Sequence, residues 1–208
     1  MVSVLKSRLP IRKVTVFVDW DTARRVVPHD IRRGRQGFEA RAIELLQNAV
    51  SNFLNNKYDK AAFRVHFRLY HGWFSGKTPT EDRKKIEKVG DDGTQRTIGS
   101  VSFSPGFSYS DQLLCGGSRS KLYDTLRTWD GEDFQKMVDT ALVSDLLHFI
   151  NGRYGDVAIV IGDDDDLLPG ILTAEAWGAD GLFLLRLRPD DNKNLNTNGL
   201  IFRLRSFL

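Results

Sequence analysis

The chain has 208 residues, of which 41% are apolar and 27% are charged, and its formal net charge is +3. These values are ordinary for a soluble globular protein and suffice for one domain with a substantial core. The mildly basic balance permits a polyanionic partner without requiring one. Cys115 is the single cysteine, which excludes an intrachain disulfide and favours a reducing, cytosolic compartment. The mostly apolar run at 14–18 is too short for a signal peptide or a membrane span.

The first half of the chain alternates between strand-like and helix-like patterns. Residues 13–19 are largely β-branched and apolar and end at an acid, which indicates a buried strand. Apolar residues then recur at helical spacing before a segment of strict alternation. The elements predicted here are a strand at 13–19, a loop at 21–37, a helix at 38–56, a strand at 62–70 and a helix opening at Thr78, with Thr78 as its cap and Pro79 in its first turn.

The second half continues this alternation after a segment rich in glycine, serine and aromatic residues. That segment, 90–121, has few helix formers and is interpreted as a loop or hairpin insertion. The elements predicted after it are a strand at 122–129, a helix at 132–150, a strand at 157–161, a helix at 167–177, a strand at 181–187 and a last strand at 200–208. Repeated strand–helix–strand order predicts a single α/β domain over 1–208, with a mostly parallel central sheet and helices on both faces.

Carboxylates gather where two of the predicted strands end. Asp19 ends the first strand, and four consecutive aspartates, Asp163 to Asp166, follow the strand at 157–161. Because ligands of parallel α/β sheets bind at the carboxyl ends of the strands, both groups are expected on one rim. Helix capping explains one or two of these acids, but not all of them together. Such a cluster is costly unless a cation neutralises it, so the sequence predicts a site for a hard ion such as Mg²⁺ or Mn²⁺.

The helix predicted at 132–150 adds a third carboxylate to this rim. It precedes the strand at 157–161 and must run antiparallel to it, so its N-terminal half lies at the carboxyl edge of the sheet. Lys136 and Asp139 lie in that half. Asp145 is further along the helix, roughly 9 Å deeper at a rise of about 1.5 Å per residue, and is turned to another face. Asp139 is therefore the expected contributor, and Asp145 is a second-tier candidate.

Three blocks of the sequence resemble the signature motifs of the NYN domain, a family of PIN-like metal-dependent nucleases. They are Val16-Phe-Val-Asp19, Lys136-Met-Val-Asp-Thr-Ala-Leu-Val-Ser-Asp145 and Asp156-Val-Ala-Ile-Val-Ile-Gly-Asp-Asp-Asp-Asp-Leu-Leu-Pro169. Their order and separation match the family's pattern, and the glycine turn at 178–184 is also similar. The resemblance covers about residues 14–187. It implies a PIN-like, Rossmannoid three-layer sandwich.

The resemblance also implies roles for individual side chains. Aligned on Pro169, the family's two acids are Asp164 and Asp166. Thr22 stands where the family's Asp-x-x-Asn block has asparagine, and Asp163 stands where a small residue is usual. The expected catalytic residues, which hold Mg²⁺ or Mn²⁺ directly or through water, are Asp19, Asp139, Asp164 and Asp166. The second-tier residues expected around them are Asp21, Thr22, Lys136, Asp145 and Asp163. Lys136 either touches the scissile phosphate or is a solvated lysine on the helix surface.

Nucleic-acid contacts are predicted close to the first acid. Arginines that follow Asp19 can contact phosphates, and an adjacent tryptophan can stack on an unpaired base. The predicted nucleic-acid-binding residues are Arg24, Arg25, Arg32, Arg33 and Trp20. Two later arginine pairs each share a strand face, which suits either a nucleic-acid backbone or a charged, solvated sheet edge. These pairs are Arg186 with Arg188 and Arg203 with Arg205.

The leading hypothesis is a metal-dependent nuclease, namely an endoribonuclease that hydrolyses phosphodiester bonds of single-stranded or structured RNA. RNA as the substrate rests on the resemblance, so DNA stays open as a second partner and a homodimer stays open as the assembly. The alternative is a catalytically weak or inactive RNA-binding regulatory protein that retains the fold, and Thr22 motivates it. A phosphatase-like hydrolase is disfavoured, because the sequence has no Asp-x-Asp-x-Thr/Val block.

Overall fold

A computed structural model describes residues 10–29, 37–91, 95–116, 121–188 and 199–208 of the chain. The helices are α1 (Trp20–Arg24), α2 (Phe38–Lys57), α3 (Glu81–Asp91), α4 (Val138–Gly152) and α5 (Leu168–Ala176), with 3-10 turns at Asp165–Leu167 and Leu204–Ser206. The strands are β1 (Ile11–Asp19), β2 (Ala62–Tyr70), β3 (Phe74–Ser75), β4 (Thr78–Pro79), β5 (Thr97–Ile98), β6 (Val101–Phe103), β7 (Ser108–Tyr109), β8 (Leu126–Trp129), β9 (Glu132–Gln135), β10 (Val157–Ile161), β11 (Leu182–Arg186) and β12 (Ile201–Arg203).

A central sheet organises these elements. Its strands follow one another in the order β12, β11, β10, β1, β2, β6 and β5, and β7 pairs with a later part of β2 than β6 does. Every pairing in this sheet is parallel except that of β5 with β6. The predicted α/β class with a mostly parallel sheet is therefore confirmed.

The order of the strands reverses between β1 and β10. From β1 the chain builds outward through β2 to β6, and it then crosses to the other side of β1 to form β10, β11 and β12. β1 and β10 pair in parallel, with Val18 opposite Ile161. Such a reversal leaves a crevice at the carboxyl ends of the two strands, because the connections that follow them lead to opposite sides. Asp19 and the tetra-aspartate turn, Asp163 to Asp166, both lie at this crevice.

Apolar layers cover both faces of the sheet. Val16 and Val18 of β1 belong to a cluster that also contains the buried side chains of α2 and α3. Phe17 belongs to the opposite cluster, together with the buried side chains of α4 and α5. Residues 16–18 are all buried. Successive side chains of a strand point to opposite faces, so helices must cover both faces of the sheet here. The fold is thus a three-layer α/β arrangement.

The start of α3 differs from the prediction. The helix expected to open at Thr78 begins at Glu81, because Thr78 and Pro79 form β4 and pair with β3. The hydroxyl of Thr80 accepts a hydrogen bond from the backbone N–H of Arg83 at 3.3 Å. The capping side chain is therefore Thr80, two residues after the one expected.

The helix predicted at 132–150 was also placed too early. It spans Val138–Gly152, and the residues before it form β9, which pairs with β8 as an antiparallel hairpin. The strand predicted at 122–129 is correspondingly shorter. The loop predicted at 21–37 begins with α1 instead. The helix at 38–56 and the strands at 62–70 and 157–161 are confirmed to within two residues.

The described part of the segment 90–121 contributes to the main sheet. β5 and β6 form a hairpin, as one of the two interpretations expected, and β6 and β7 extend the sheet beside β2. The last predicted strand, 200–208, is shorter than expected, since β12 ends at Arg203 and a 3-10 turn follows. No helix in the described ranges is long and apolar enough to span a membrane.

Candidate active site

A cleft of ≈ 260 Å³ opens at the carboxyl edge of the sheet, where β1 and β10 end. Its lining comes from both strand ends, from β9 and from the start of α4. Among the lining residues are Asp19, Asp21, Arg25, Gln135, Asp139 and Asp164. Three of the four predicted metal ligands therefore line one cleft. The fourth, Asp166, is not part of this lining, but its charge acts on Asp139.

Asp19 ends β1 and caps the short helix α1. Its carboxylate accepts hydrogen bonds from the backbone N–H groups of Asp21 (3.1 Å) and Thr22 (3.2 Å). Burial raises the pKa of Asp19 above its ordinary value, the Thr22 hydroxyl opposes this rise, and the charge of Asp21 adds to it. The carboxylate is thus held at the cleft wall by contacts that arise within a few residues of it.

Asp139 lies in the first turn of α4. The pKa of its carboxyl is raised to about 6, first by burial and then by the charges of three other aspartates: Asp164, Asp19 and Asp166. Carboxylates close enough to shift one another in this way repel, so the fold holds them together against their own electrostatics. A divalent cation between them would remove that repulsion.

The four acids of the tetra-aspartate turn have different surroundings. Asp164 lines the cleft, and its Oδ1 accepts a hydrogen bond from the backbone N–H of Asp166 at 2.9 Å. Asp165 forms an ion pair with Arg186 at 2.7 Å instead. Asp163 is buried, whereas the other three are exposed. In this turn the predicted metal ligands, Asp164 and Asp166, therefore alternate with Asp163 and Asp165, whose contacts are with other groups of the protein.

Asp163 joins the end of β10 to the end of β11. Its Oδ1 accepts hydrogen bonds from the backbone N–H groups of Leu187 (2.7 Å) and Arg188 (3.1 Å), and its carbonyl oxygen accepts one from Arg186 (2.7 Å). Its Oδ2 has no hydrogen-bond partner within the described ranges and lies 3.5 Å from Nη1 of Arg25. A small side chain cannot make the contacts of this carboxylate, so an acid at this position has a structural role.

Thr22 connects the two strand ends at the centre of the site. Its hydroxyl donates to Oδ2 of Asp19 at 2.5 Å and accepts from the backbone N–H of Asp163 at 3.1 Å. It also accepts from Nη2 of Arg25 at 2.9 Å. Thr22, which stands where the NYN pattern has asparagine, therefore holds the carboxylate of Asp19 in place.

Gln135 is a site residue that sequence reasoning missed. Its side-chain amide donates to Oδ2 of Asp21 and accepts from the backbone N–H of Gly72 at 3.1 Å. Burial alone would raise the pKa of Asp21, but His71, Arg24 and Gln135 together hold it below its ordinary value. Nothing in the sequence singled out this glutamine. Its segment was predicted as part of the helix at 132–150, whereas it belongs to the β8–β9 hairpin, which places it at the cleft.

Arg24 links Asp21 to Asp82. It donates to Oδ1 of Asp21 at 2.5 Å and to Oδ2 of Asp82 at 2.7 Å. Nε2 of His71 lies 3.1 Å from the same oxygen of Asp82, and this hydrogen bond is the largest of the effects that lower the pKa of Asp82 to about 2. Arg24 was predicted to bind nucleic acid, and the structure places it in these ion pairs.

Among the five second-tier residues, Asp21 lines the cleft, whereas Thr22, Lys136, Asp145 and Asp163 lie outside its lining. Lys136 is exposed in the turn before α4. Asp145 is fully buried and pairs with Arg68 at 2.7 Å, and it accepts hydrogen bonds from the Tyr70 hydroxyl (2.9 Å) and the Leu114 backbone N–H (2.7 Å). The predicted position of Asp145 around the metal ligands is corrected accordingly, since its carboxylate belongs to a buried ion pair.

The predicted nucleic-acid contacts also need a correction. Trp20 is 0% exposed and belongs to the core cluster of α2, so its indole has no free face on which a base can stack. Arg25 is exposed and lines the cleft, and its contact with nucleic acid stays a prediction. Arg32 and Arg33 lie outside the described residues.

The donor set suits a hard, partly hydrated cation. Within the described ranges, no three histidine, cysteine, aspartate or glutamate side chains form a ready-made metal cage. Mg²⁺ needs no such cage, because it usually keeps several waters and binds through one or two carboxylates and substrate phosphate. The acids at this cleft offer carboxylate oxygens, which hard ions prefer. The residues therefore fit Mg²⁺ or Mn²⁺ held partly through water.

A scan of the sequence against models of known protein families finds no match, and a search of curated proteins finds no similar sequence. The likeness to the NYN domain accordingly rests on the three sequence blocks.

Proposed function

We propose that this protein is a metal-dependent nuclease with a PIN-like fold of the NYN type, and that it acts as an endoribonuclease on RNA phosphodiester bonds. One observation carries the proposal. Asp19, Asp139 and Asp164, which come from three separate parts of the chain, line one cleft where the strand order reverses. Burial first, and then the charges of the neighbouring aspartates, raise the pKa of Asp139 to about 6, and a divalent cation would offset that repulsion.

The reaction needs a nucleophilic water and neutralisation of the charge that builds on the phosphate. Bound Mg²⁺ or Mn²⁺ supplies both, by lowering the pKa of water and by polarising phosphate oxygens. Asp19, Asp139 and Asp164 would hold the ion, and Asp166 would act on it through water. Asp139, whose carboxyl pKa is raised to about 6, would also be suited to accept the proton of the attacking water.

The rest of the cleft positions the substrate. Arg25 and Arg188 are exposed and line the cleft beside the carboxylates, so their guanidinium groups can bind a phosphate next to the cut. RNA is the proposed substrate, and DNA is tested against it below. A reducing, cytosolic location belongs to the same proposal, because the single cysteine cannot form an intrachain disulfide.

The alternative is a catalytically weak or inactive RNA-binding regulatory protein. It was motivated by Thr22 in place of asparagine, and the three hydrogen bonds of the Thr22 hydroxyl weaken that motive. A side chain that anchors Asp19 and links it to the tetra-aspartate turn does the positioning that an active site requires.

The proposal is tested with purified protein on single-stranded RNA, hairpin RNA, duplex RNA and single-stranded DNA, with Mg²⁺, with Mn²⁺ or with EDTA. We expect cleavage of RNA that needs the metal and is lost in Asp164→Asn. Asp165→Asn is the matched control, since it removes the neighbouring exposed carboxylate that binds Arg186 instead of lining the cleft. Absence of metal-dependent cleavage on every substrate, or equal losses in the two variants, would refute the nuclease assignment.

A further inference from the structure

A second, larger pocket of ≈ 670 Å³ adjoins the carboxylate cleft. Arg25 and Arg188 line both, so they form the boundary between the two concavities. Binding sites for small molecules typically measure about 300–1,000 Å³, a range that includes this pocket and exceeds the ≈ 260 Å³ of the cleft. The pocket is therefore large enough for a ligand that extends from the cleft.

The charge of the pocket is strongly positive. Arg25, Arg188 and Arg205 are exposed in its lining. Among the described residues that line it, Asp163 is the only acid, and it is 1% exposed. The cleft beside it has the opposite character, with carboxylates predominating. A ligand that lies across both must offer anionic groups to the pocket.

Asp163 holds two of these arginines side by side. Its Oδ2 lies 3.5 Å from Nη1 of Arg25 and 3.9 Å from Nε of Arg188, and it makes no hydrogen bond within the described ranges. The buried charge thus attracts both guanidinium groups without using up their N–H donors. Arg25 is fixed further, because Nη2 donates to the Thr22 hydroxyl (2.9 Å) and Nε to the Asp21 carbonyl (3.2 Å). This pair is arranged in advance for a phosphate.

Besides Arg24 and His29, the rest of the lining is apolar. Val27 and Phe38 are buried side chains of the core cluster and form part of the pocket surface, together with Pro28 and Leu187. An apolar surface beside cationic groups suits a ligand with a flat, weakly polar part next to an anionic part. A nucleotide has this composition, with a base beside a phosphate.

We propose that the pocket binds one unpaired nucleotide next to the scissile phosphodiester, with its phosphate on Arg25 and Arg188 and its base against the apolar surface. This inference rests on the proposed function, which places the scissile bond in the adjoining cleft. A base held in such a pocket cannot be paired, so the substrate strand is single-stranded on this side of the cut. Arg205, which lines the same pocket, binds the next phosphate.

The test uses adenosine 5′-monophosphate, adenosine and inorganic phosphate as probes, titrated calorimetrically in EDTA so that the readout does not depend on catalysis. Adenosine 5′-monophosphate is expected to bind more tightly than either of the other two. Arg205→Gln is expected to weaken binding of a short single-stranded RNA about fivefold or more, the loss typical of one charge-assisted hydrogen bond. Arg203→Gln is the matched control, since this exposed arginine lies two residues earlier and outside the pocket lining.

The outcomes separate the pocket from the enzyme. If adenosine 5′-monophosphate binds no better than inorganic phosphate, or Arg203→Gln weakens RNA binding as much as Arg205→Gln, the nucleotide pocket is refuted while metal-dependent cleavage stands. If binding depends on Arg205 but wild-type protein cleaves none of the substrates, the proposed nuclease function is refuted, and with it the position of the pocket beside a scissile bond. Equal affinity of wild-type protein for duplex and single-stranded RNA also overturns the inference.

Discussion

The hydroxyl of Thr22 lies 2.5 Å from Oδ2 of Asp19 and donates a hydrogen bond to it. The same oxygen atom of Thr22 accepts from the backbone N–H of Asp163, so one buried side chain joins the ends of β1 and β10. A hydroxyl has one donor and two acceptor positions, and Arg25 takes the last of them. The position of the first carboxylate therefore depends on a residue whose hydrogen-bonding capacity is fully used.

Thr22→Val keeps the shape of this side chain and removes its hydroxyl. We expect a loss of about 1–3 kcal/mol in the free energy of unfolding, because Asp19 and the N–H of Asp163 lose a partner in a buried site. The rate of metal-dependent cleavage should fall by more than the loss of folded protein can explain. Urea denaturation and initial rates measure the two effects. Thr22→Ser retains the hydroxyl and should preserve most of both, so equal damage in the two variants contradicts this role.

Asp139 should lower the stability of the metal-free protein at neutral pH. Its pKa is raised from 3.8 to about 6, so the folded protein favours the protonated carboxyl. The stability that this protonated form contributes is complete below about pH 3.8 and is lost as pH rises through about 6, where the carboxyl ionises in the folded state. Asp139→Asn cannot ionise. After allowing for solvent screening at this half-buried site, we expect it to raise the free energy of unfolding by about 1 kcal/mol near pH 8.

Denaturation in EDTA across a pH series checks this prediction. The gain from Asp139→Asn should shrink towards zero near pH 4, where the wild-type carboxyl is also protonated. A gain that does not change with pH would point to packing instead of charge. The same substitution should abolish cleavage, so the more stable protein is expected to be the inactive one.

Metal affinity should follow the same carboxyl. A proton and a divalent cation compete for Asp139, so the affinity for Mn²⁺ should fall as pH drops through about 6. Isothermal titration calorimetry at several pH values measures this dependence. In Asp139→Asn the affinity should be weaker, and its dependence on pH in this range should flatten. A wild-type affinity that is constant from about pH 5 to about pH 8 contradicts the assignment of Asp139 as a ligand.

Asp145 should matter for stability alone. Its removal leaves the buried guanidinium of Arg68 without its counter-charge, and breaking a buried pair in this way costs about 3–5 kcal/mol. We therefore expect Asp145→Ala to unfold at much lower urea concentration than the wild type. Its folded fraction, measured in calorimetry at low temperature, should bind Mn²⁺ normally. Weakened metal affinity in a folded variant would restore Asp145 to the surroundings of the metal site.

Local sequence patterns predicted the main secondary-structure elements of this protein well. The strands β1, β2 and β10 are continuous apolar or alternating runs, and α2 repeats apolar residues at helical spacing, so their signals lie within the elements themselves. Acids at the ends of β1 and β10 were correctly expected on one rim, because parallel neighbours place their carboxyl ends together. The hairpin of β8 and β9 was missed, since its two short, largely exposed strands carry no burial pattern.

Several acids of the site have partners that lie far away along the chain. The sequence alone predicts that the tetra-aspartate turn is a cluster of negative charge. It also predicts a nearby counter-charge, because like charges in a row repel. Only the tertiary structure separates Asp164, at the cleft, from Asp163 and Asp165, whose partners come from the end of β11. It likewise brings Gln135 to Asp21 and buries Asp145 against Arg68. Periodicity records which face of an element is buried, but not which distant side chain a given carboxylate meets there.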